Sequence, residues 1–136
     1  MATVRKLIVT QMPADQVWDA VRDIGALHTR LVPGFVVDTR LEPGARIVTF
    51  ANGATTREPI VTLDDAGRRL AWSAEGGTTT HYNASAEVLE TGPGACVVWT
   101  ADFLPDDAKP AIEAAMAAGA TAMKKALDAA APVEGQ

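Results

Sequence analysis

A single long helical segment closes a chain that otherwise reads as strands, and this limits the fold more than any other feature of the sequence. From Asp106 to about Ala130, Ile112, Met116, Gly119, Met123 and Leu127 recur at steps of three or four, while Lys109, Glu113, Lys124 and Asp128 mostly fall elsewhere. One apolar stripe therefore runs down a rod of roughly six turns. A curved sheet can wrap such a stripe. Methionine specifies packing poorly, and glycine in a helix costs about 1 kcal/mol against alanine. Met116 and Met123 on either side of Gly119 therefore suggest room beneath the helix. The plainer alternative is that Gly119 allows close helix–sheet approach and the methionines fill ordinary gaps.

Ahead of this helix, residues 3–11 mix β-branched residues in partial alternation and predict a first strand. Pro13 to Asp23 has a proline near the first turn, an early acid, and apolar Val17, Trp18, Val21 and Ile24, which predicts a short amphipathic helix ended by Gly25. A second helical turn, Ala26 to Leu31, is cut off by Pro33-Gly34. Strands then follow over Phe35–Leu41, Ala45–Phe50, Thr55–Leu63, Arg69–Ala74, His81–Leu89 and Ala95–Phe103. Each is bounded by turn residues such as Glu42-Pro43-Gly44, Asn52-Gly53 and Gly92-Pro93-Gly94. Grouped strands with short connections pair antiparallel, and helices kept to the ends mark an α+β fold.

With 136 residues, one domain with a real core is expected over 1–131, followed by a short frayed tail at 132–136. A net charge of −5, with no basic run beyond Arg68-Arg69 and Lys124-Lys125, leaves no electrostatic footprint for nucleic acid. The run Leu7 to Val9 is too short for a signal-peptide core or a membrane span, so a cytoplasmic protein is expected. The one cysteine, Cys96, excludes an internal disulfide, fits a reducing compartment, and reads as a small strand residue and not a nucleophile.

Five short motifs stand out along the chain: Pro13-Ala14-Asp15-Gln16-Val17-Trp18, Leu31-Val32-Pro33-Gly34, Arg57-Glu58-Pro59-Ile60 with Asp64, Arg69-Leu70-Ala71-Trp72, and Val97-Val98-Trp99-Thr100 with Phe103 and Pro105. In order and spacing they resemble the START-like helix-grip superfamily, also called SRPBCC, which includes polyketide cyclase/dehydrase-like proteins, lipid-transport proteins and the birch-pollen-allergen group. The resemblance covers nearly the whole chain. It implies a seven-stranded curved antiparallel sheet around a long C-terminal helix, two short helices after the first strand, and a cavity between sheet and helix. Phe50-Ala51-Asn52-Gly53 and His81-Tyr82-Asn83-Ala84-Ser85 resemble a bacterial subset of this superfamily without defined catalytic residues. Members of such a superfamily carry, sense or convert what they hold.

Strand parity nominates the cavity side chains. Val97, Trp99, Ala101 and Phe103 share one face, as do Leu70, Trp72 and Ala74, so Trp72 and Trp99 are the largest inward surfaces, either as cavity wall or as plain core. A two-residue hairpin at Asn52-Gly53 puts Val48, Phe50, Thr55 and Arg57 on one face, points Val61 and Leu63 inward, and turns Glu58 and Ile60 out. Pro59 marks an edge or a bulge, and a bulge there would turn Glu58 inward, as the resemblance implies for the matching acid. Buried, Glu58 would have a raised pKa and Arg46 or Arg57 as its partner. Tyr82, Ala84, Ala86 and Val88 face in, which leaves His81 outward or at the rim. His28, in the second helical turn, is a weaker titrating candidate.

Two histidines and one cysteine without ligand spacing argue against zinc. No G-x-S-x-G elbow or phosphate cradle occurs, and no cofactor is implied. The preferred expectation is a carrier or sensor that binds a small hydrophobic or amphipathic molecule in a cavity between the sheet and the C-terminal helix, lined by Phe50, Glu58, Trp72, Tyr82, Trp99, Phe103, Met116, Gly119 and Met123. An enzyme of polyketide cyclase or dehydratase type, with Glu58 or His81 as acid or base, is the first rival, and a protein-interaction module is the next. An open sheet also has edges through which a homodimer could form.

Overall fold

The computed structural model describes residues 1–131; the tail expected at 132–136 lies outside them. Strand β1 (Ala2–Thr10) is followed by helix α1 (Ala14–Arg22) and a π-helical turn over Leu27–Leu31. Then come β2 (Val36–Glu42), β3 (Ala45–Phe50), β4 (Thr55–Asp64), β5 (Arg69–Ser73), β6 (His81–Thr91) and β7 (Gly94–Leu104). A 3-10 turn over Asp106–Ala108 leads into α2 (Lys109–Ala130), so the α-helix proper starts at Lys109 and not at Asp106. Pro110 sits in its first turn, where a missing N–H removes no helix bond.

The seven strands form one antiparallel sheet in the order β1-β7-β6-β5-β4-β3-β2. Strands β2 to β7 follow one another as hairpins. Strand β1 pairs with β7, from Ala2 opposite Phe103 to Thr10 opposite Ala95. The first two strands therefore lie at opposite edges, and α1 with the π-helical turn must cross one end of the sheet to join them. Irregularities between Val36 and Asp38 and between Ile60 and Thr62 break the ladder. Such bulges bend a strand and increase its twist, which helps the sheet curve around α2.

On α2 the apolar stripe buries Met116, Gly119, Met123 and Leu127, while Ile112 is half-buried. At Gly119 the helix passes close against Trp99 and Phe35. A β-carbon there would lie 2.8 Å from Cη2 of Trp99 and 3.1 Å from Cε2 of Phe35, so the absence of a side chain sets the helix height. α2 lies along β1. Lys124 Nζ donates to the Val9 carbonyl at 2.8 Å, and Lys6 pairs with Glu113 at 3.2 Å. These contacts cover the β1 edge and leave β2, with Asp38, Arg40 and Glu42, as the open one.

One carboxylate makes two of the polar contacts that hold helix α1. Asp65, in the turn between β4 and β5, accepts from Trp18 Nε1 at 2.9 Å and from Arg22 Nε at 2.7 Å. The Arg22 bond, and after it the Trp18 bond, hold the Asp65 carboxyl below the usual carboxylate range. A carboxyl depressed in the folded state adds stability above its unfolded pKa and loses that stability as pH falls through the folded value. Asp65→Asn should therefore lower the melting temperature at pH 7. Thermal scans by circular dichroism should find the deficit closing as pH falls below about 4. A deficit that persists unchanged at pH 3 would take the charge of Asp65 out of this contact.

Candidate functional site

Because α2 lies along β1 and the sheet is wide, the concave face of β3 to β6 is only partly covered. The space left there is a cavity of about 220 Å3 under α2, the π-helical turn and the β5–β6 loop. An engineered cavity of about 150 Å3 is large enough to take up benzene, so this one suits a molecule of one or two rings. Its walls are mainly apolar. Phe50, Trp72 and Trp99 come from strands, Met116 and Met123 from α2, and Phe35 stands edge-on to Phe50 with ring centres 5.4 Å apart.

The polar part of the wall is an ion pair. Arg46 on β3 lies directly opposite Glu58 on β4, and its Nε donates to Glu58 Oε1 at 2.8 Å. They are 2% and 7% exposed, and the guanidinium lies over the Trp72 ring, 5.2 Å from its centre. Burial pushes the Glu58 carboxyl above its ordinary range, and the charge and hydrogen bond of Arg46 oppose that rise. Tyr82, inward on β6, is raised as well, first by burial and then by the Glu58 charge, so its phenol keeps its proton at neutral pH. Trp99 Nε1 and Thr56 Oγ1, both on wall residues, have no hydrogen-bond partner among the described residues.

The route by which Glu58 turns inward corrects the sequence expectation. The loop at Asn52-Gly53 is longer than a two-residue turn: Phe50 N–H donates to the Ala54 carbonyl at 2.8 Å, and the ladder resumes with Thr49 opposite Thr55. Gly53, at φ 89°, supplies the left-handed residue this loop requires. Pairing thereby moves by one residue, which flips the face of every β4 side chain up to the bulge. Thr56 and Glu58 join Val48 on the inner side, and Arg57 turns away to pair with Glu42 and Glu75. No bulge at Pro59 is needed, since Pro59 pairs in register with Ala45. The bulge comes at Val61, which is 60% exposed and not inward; after it Leu63 sits opposite Leu70 but is itself 38% exposed.

Of the residues nominated from sequence, Phe50, Glu58, Trp72, Tyr82, Trp99, Met116 and Met123 border the cavity. Phe103 does not. It is fully buried in the core, with its ring stacked 6.4 Å from that of Tyr82, because parity fixes its face but not its position along the sheet. Gly119 also lies off the wall, since Trp99 fills the space above it. His81 is exposed at the start of β6, outside the cavity. His28 sits in the π-helical turn with Nδ1 buried and unpartnered among the described residues, and it too is off the wall.

The sequence reading missed Leu27, Leu31, Val32 and Phe35 as wall residues. The four-residue spacing of Leu27 and Leu31, followed at once by Val32, was the available signal. The loop of Gly76, Gly77, Thr78 and Thr79 also borders the cavity, a role its composition does not announce. Among the described residues, no group of three or more His, Cys, Asp or Glu stands together as a metal site needs. No described helix is long and apolar enough to cross a membrane.

A model of the family described as polyketide cyclase / dehydrase and lipid transport matches residues 1–132. Among curated proteins, none matches. Solved structures are similar in fold. The Bacillus cereus protein XoxI superposes with a TM-score of 0.83 at 20% identity, over 93% of this chain and 96% of its own. A Thermobifida fusca protein reaches 0.74 at 28% identity, over 94% and 91%. A point mutant of Thalictrum norcoclaurine synthase, in complex with a transition-state analogue, reaches 0.72 at 20% identity, over 93% of each chain.

Removing one member of a buried ion pair strands the other charge and costs about 3–5 kcal/mol, whereas replacing both with apolar residues of similar size is close to neutral. Glu58→Ala should therefore lose about that much stability in urea titrations, while R46M/E58L should unfold near the wild-type midpoint. A Glu58→Ala variant as stable as wild type would contradict the buried pairing.

Proposed function

The chain belongs to the polyketide cyclase/dehydrase and lipid-transport family, and on that premise we propose that it binds a small hydrophobic or amphipathic molecule in the cavity under α2, as a carrier or sensor. One observation carries this reading: a mainly apolar cavity of about 220 Å3 whose wall includes aromatic rings and the buried Arg46–Glu58 pair. Protein interiors pack to crystal-like density, with few voids larger than a water. A space of this size walled by aromatic rings and a buried ion pair is more useful filled by a ligand than left as core. Norcoclaurine synthase, similar in fold, forms a complex with a transition-state analogue, which is in keeping with a ligand-binding role. A cytoplasmic setting is part of the proposal, supported by the free, buried Cys96.

The rival enzyme reading draws on Glu58, whose raised carboxyl borders the cavity. General acid–base work needs a group that can take and release a proton at the reacting atom. Here Oε1 is tied to Arg46 Nε at 2.8 Å, which favours binding over proton transfer. His81, exposed on the outside, gives the rival no second group.

Native mass spectrometry of the freshly purified protein, with extraction of what accompanies it, tests the reading. A stoichiometric organic adduct is expected. Met116→Trp, which fills the cavity from α2, should remove the adduct and weaken binding of the neutral probe 2-naphthol at least tenfold, with the fold checked by circular dichroism. Unaltered affinity for 2-naphthol in a folded Met116→Trp variant would mean that the ligand does not enter here.

A further inference from the structure

Arg46 is the best-buried charged side chain described, at 2% exposure, and it borders the cavity. A guanidinium has five N–H donors. Nε is used by Glu58, and the two Nη groups make no hydrogen bond among the described residues. The geometry nonetheless fixes them. Glu58 holds one edge of the guanidinium, and the Trp72 face, 5.2 Å away, holds its plane. Four N–H donors of a wall residue thus have no protein acceptor among the described residues, an arrangement that favours an acceptor brought by a ligand.

The charge balance selects the kind of acceptor. Arg46 and Glu58 neutralise each other, so a ligand carboxylate would bring an uncompensated charge into an apolar enclosure beside Glu58. A neutral oxygen incurs no such penalty, and the aromatic walls suit a flat ring. We propose that Arg46 is the ligand-reading group of this cavity, donating from Nη to a carbonyl-type oxygen on a neutral one- or two-ring molecule, with Glu58 as its positioning residue. The proposal rests on the cavity-binding reading above and gives it a chemical class.

Three probes of similar size test it: 2-acetylnaphthalene, 2-ethylnaphthalene and 2-naphthoate, titrated by tryptophan fluorescence. The wild-type protein should bind the ketone about tenfold or more tightly than the ethyl compound, as a hydrogen bond to a charged donor implies. R46M/E58L should bind both equally. Glu58→Gln, which keeps an acceptor for Nε, should retain more of the preference than Glu58→Ala. The infrared carbonyl stretch of the ketone bound to wild-type protein should be lowered at least as far as in water, a readout that needs no variant. Equal binding of ketone and ethyl compound, with an unshifted carbonyl, would overturn the role of Arg46 but leave cavity binding standing. Tightest binding of the naphthoate would overturn the neutral class. Binding of none of the three, together with a bare native mass, would remove the cavity reading and this proposal with it.

Discussion

The close approach of α2 to the sheet at Gly119 is the constraint on which the rest of the structure depends. One helix cannot cover seven strands. By resting on Trp99 and Phe35 with no side chain of its own, Gly119 sets the height of the helix, and the contacts of Lys124 with Val9 and of Lys6 with Glu113 set its side. The stripe is therefore satisfied along β1, while the inner face of β3 to β6 is roofed by thinner elements. Flexible Met116 and Met123 border the gap that results, where branched side chains would specify a tighter fit.

Into that gap the register of β3 and β4 turns an ion pair. Taking Arg46 and Glu58 out of water is costly, and a hydrophobic pair of the same size would serve stability as well. The pair differs from a purely structural one in what it leaves undone. Only Nε is used, so the guanidinium is held firmly by Glu58 and Trp72 while its outer nitrogens stay idle. Tyr82, kept protonated by burial and by the Glu58 charge, adds a hydroxyl on the neighbouring wall. Rigid polar groups within an apolar cavity are what orient a ligand that enters mainly by apolar burial.

The order of elements was legible because turn residues and periodicity are local signals. Strand β3 was read to the residue, and the others to within two positions at either end. Local signals failed where a loop sets a long register. Asn52-Gly53 was rightly read as a turn, but the Phe50–Ala54 bond lengthens the loop and reverses parity as far as the bulge at Val61. Glu58 thus faces inward for a reason other than the one its neighbour Pro59 suggested. Parity also gives a face without a depth, so Phe103 could be assigned to the inner side but not told apart from the wall residues. Leu27, Leu31 and Phe35 roof the cavity only because the chain crosses the sheet end there, a tertiary fact with little local trace.

The methionines allow the most direct test of where a ligand sits. Met116 and Met123 border the cavity, whereas Met1 is exposed and Met12 is buried away from it. A carbon–proton spectrum of methyl-labelled methionine should resolve all four during titration with 2-acetylnaphthalene. Saturable shifts at Met116 and Met123, with Met1 and Met12 unmoved, are the expected result. Shifts at Met1 or Met12 alone, or binding that moves neither Met116 nor Met123, would contradict a site under the C-terminal helix.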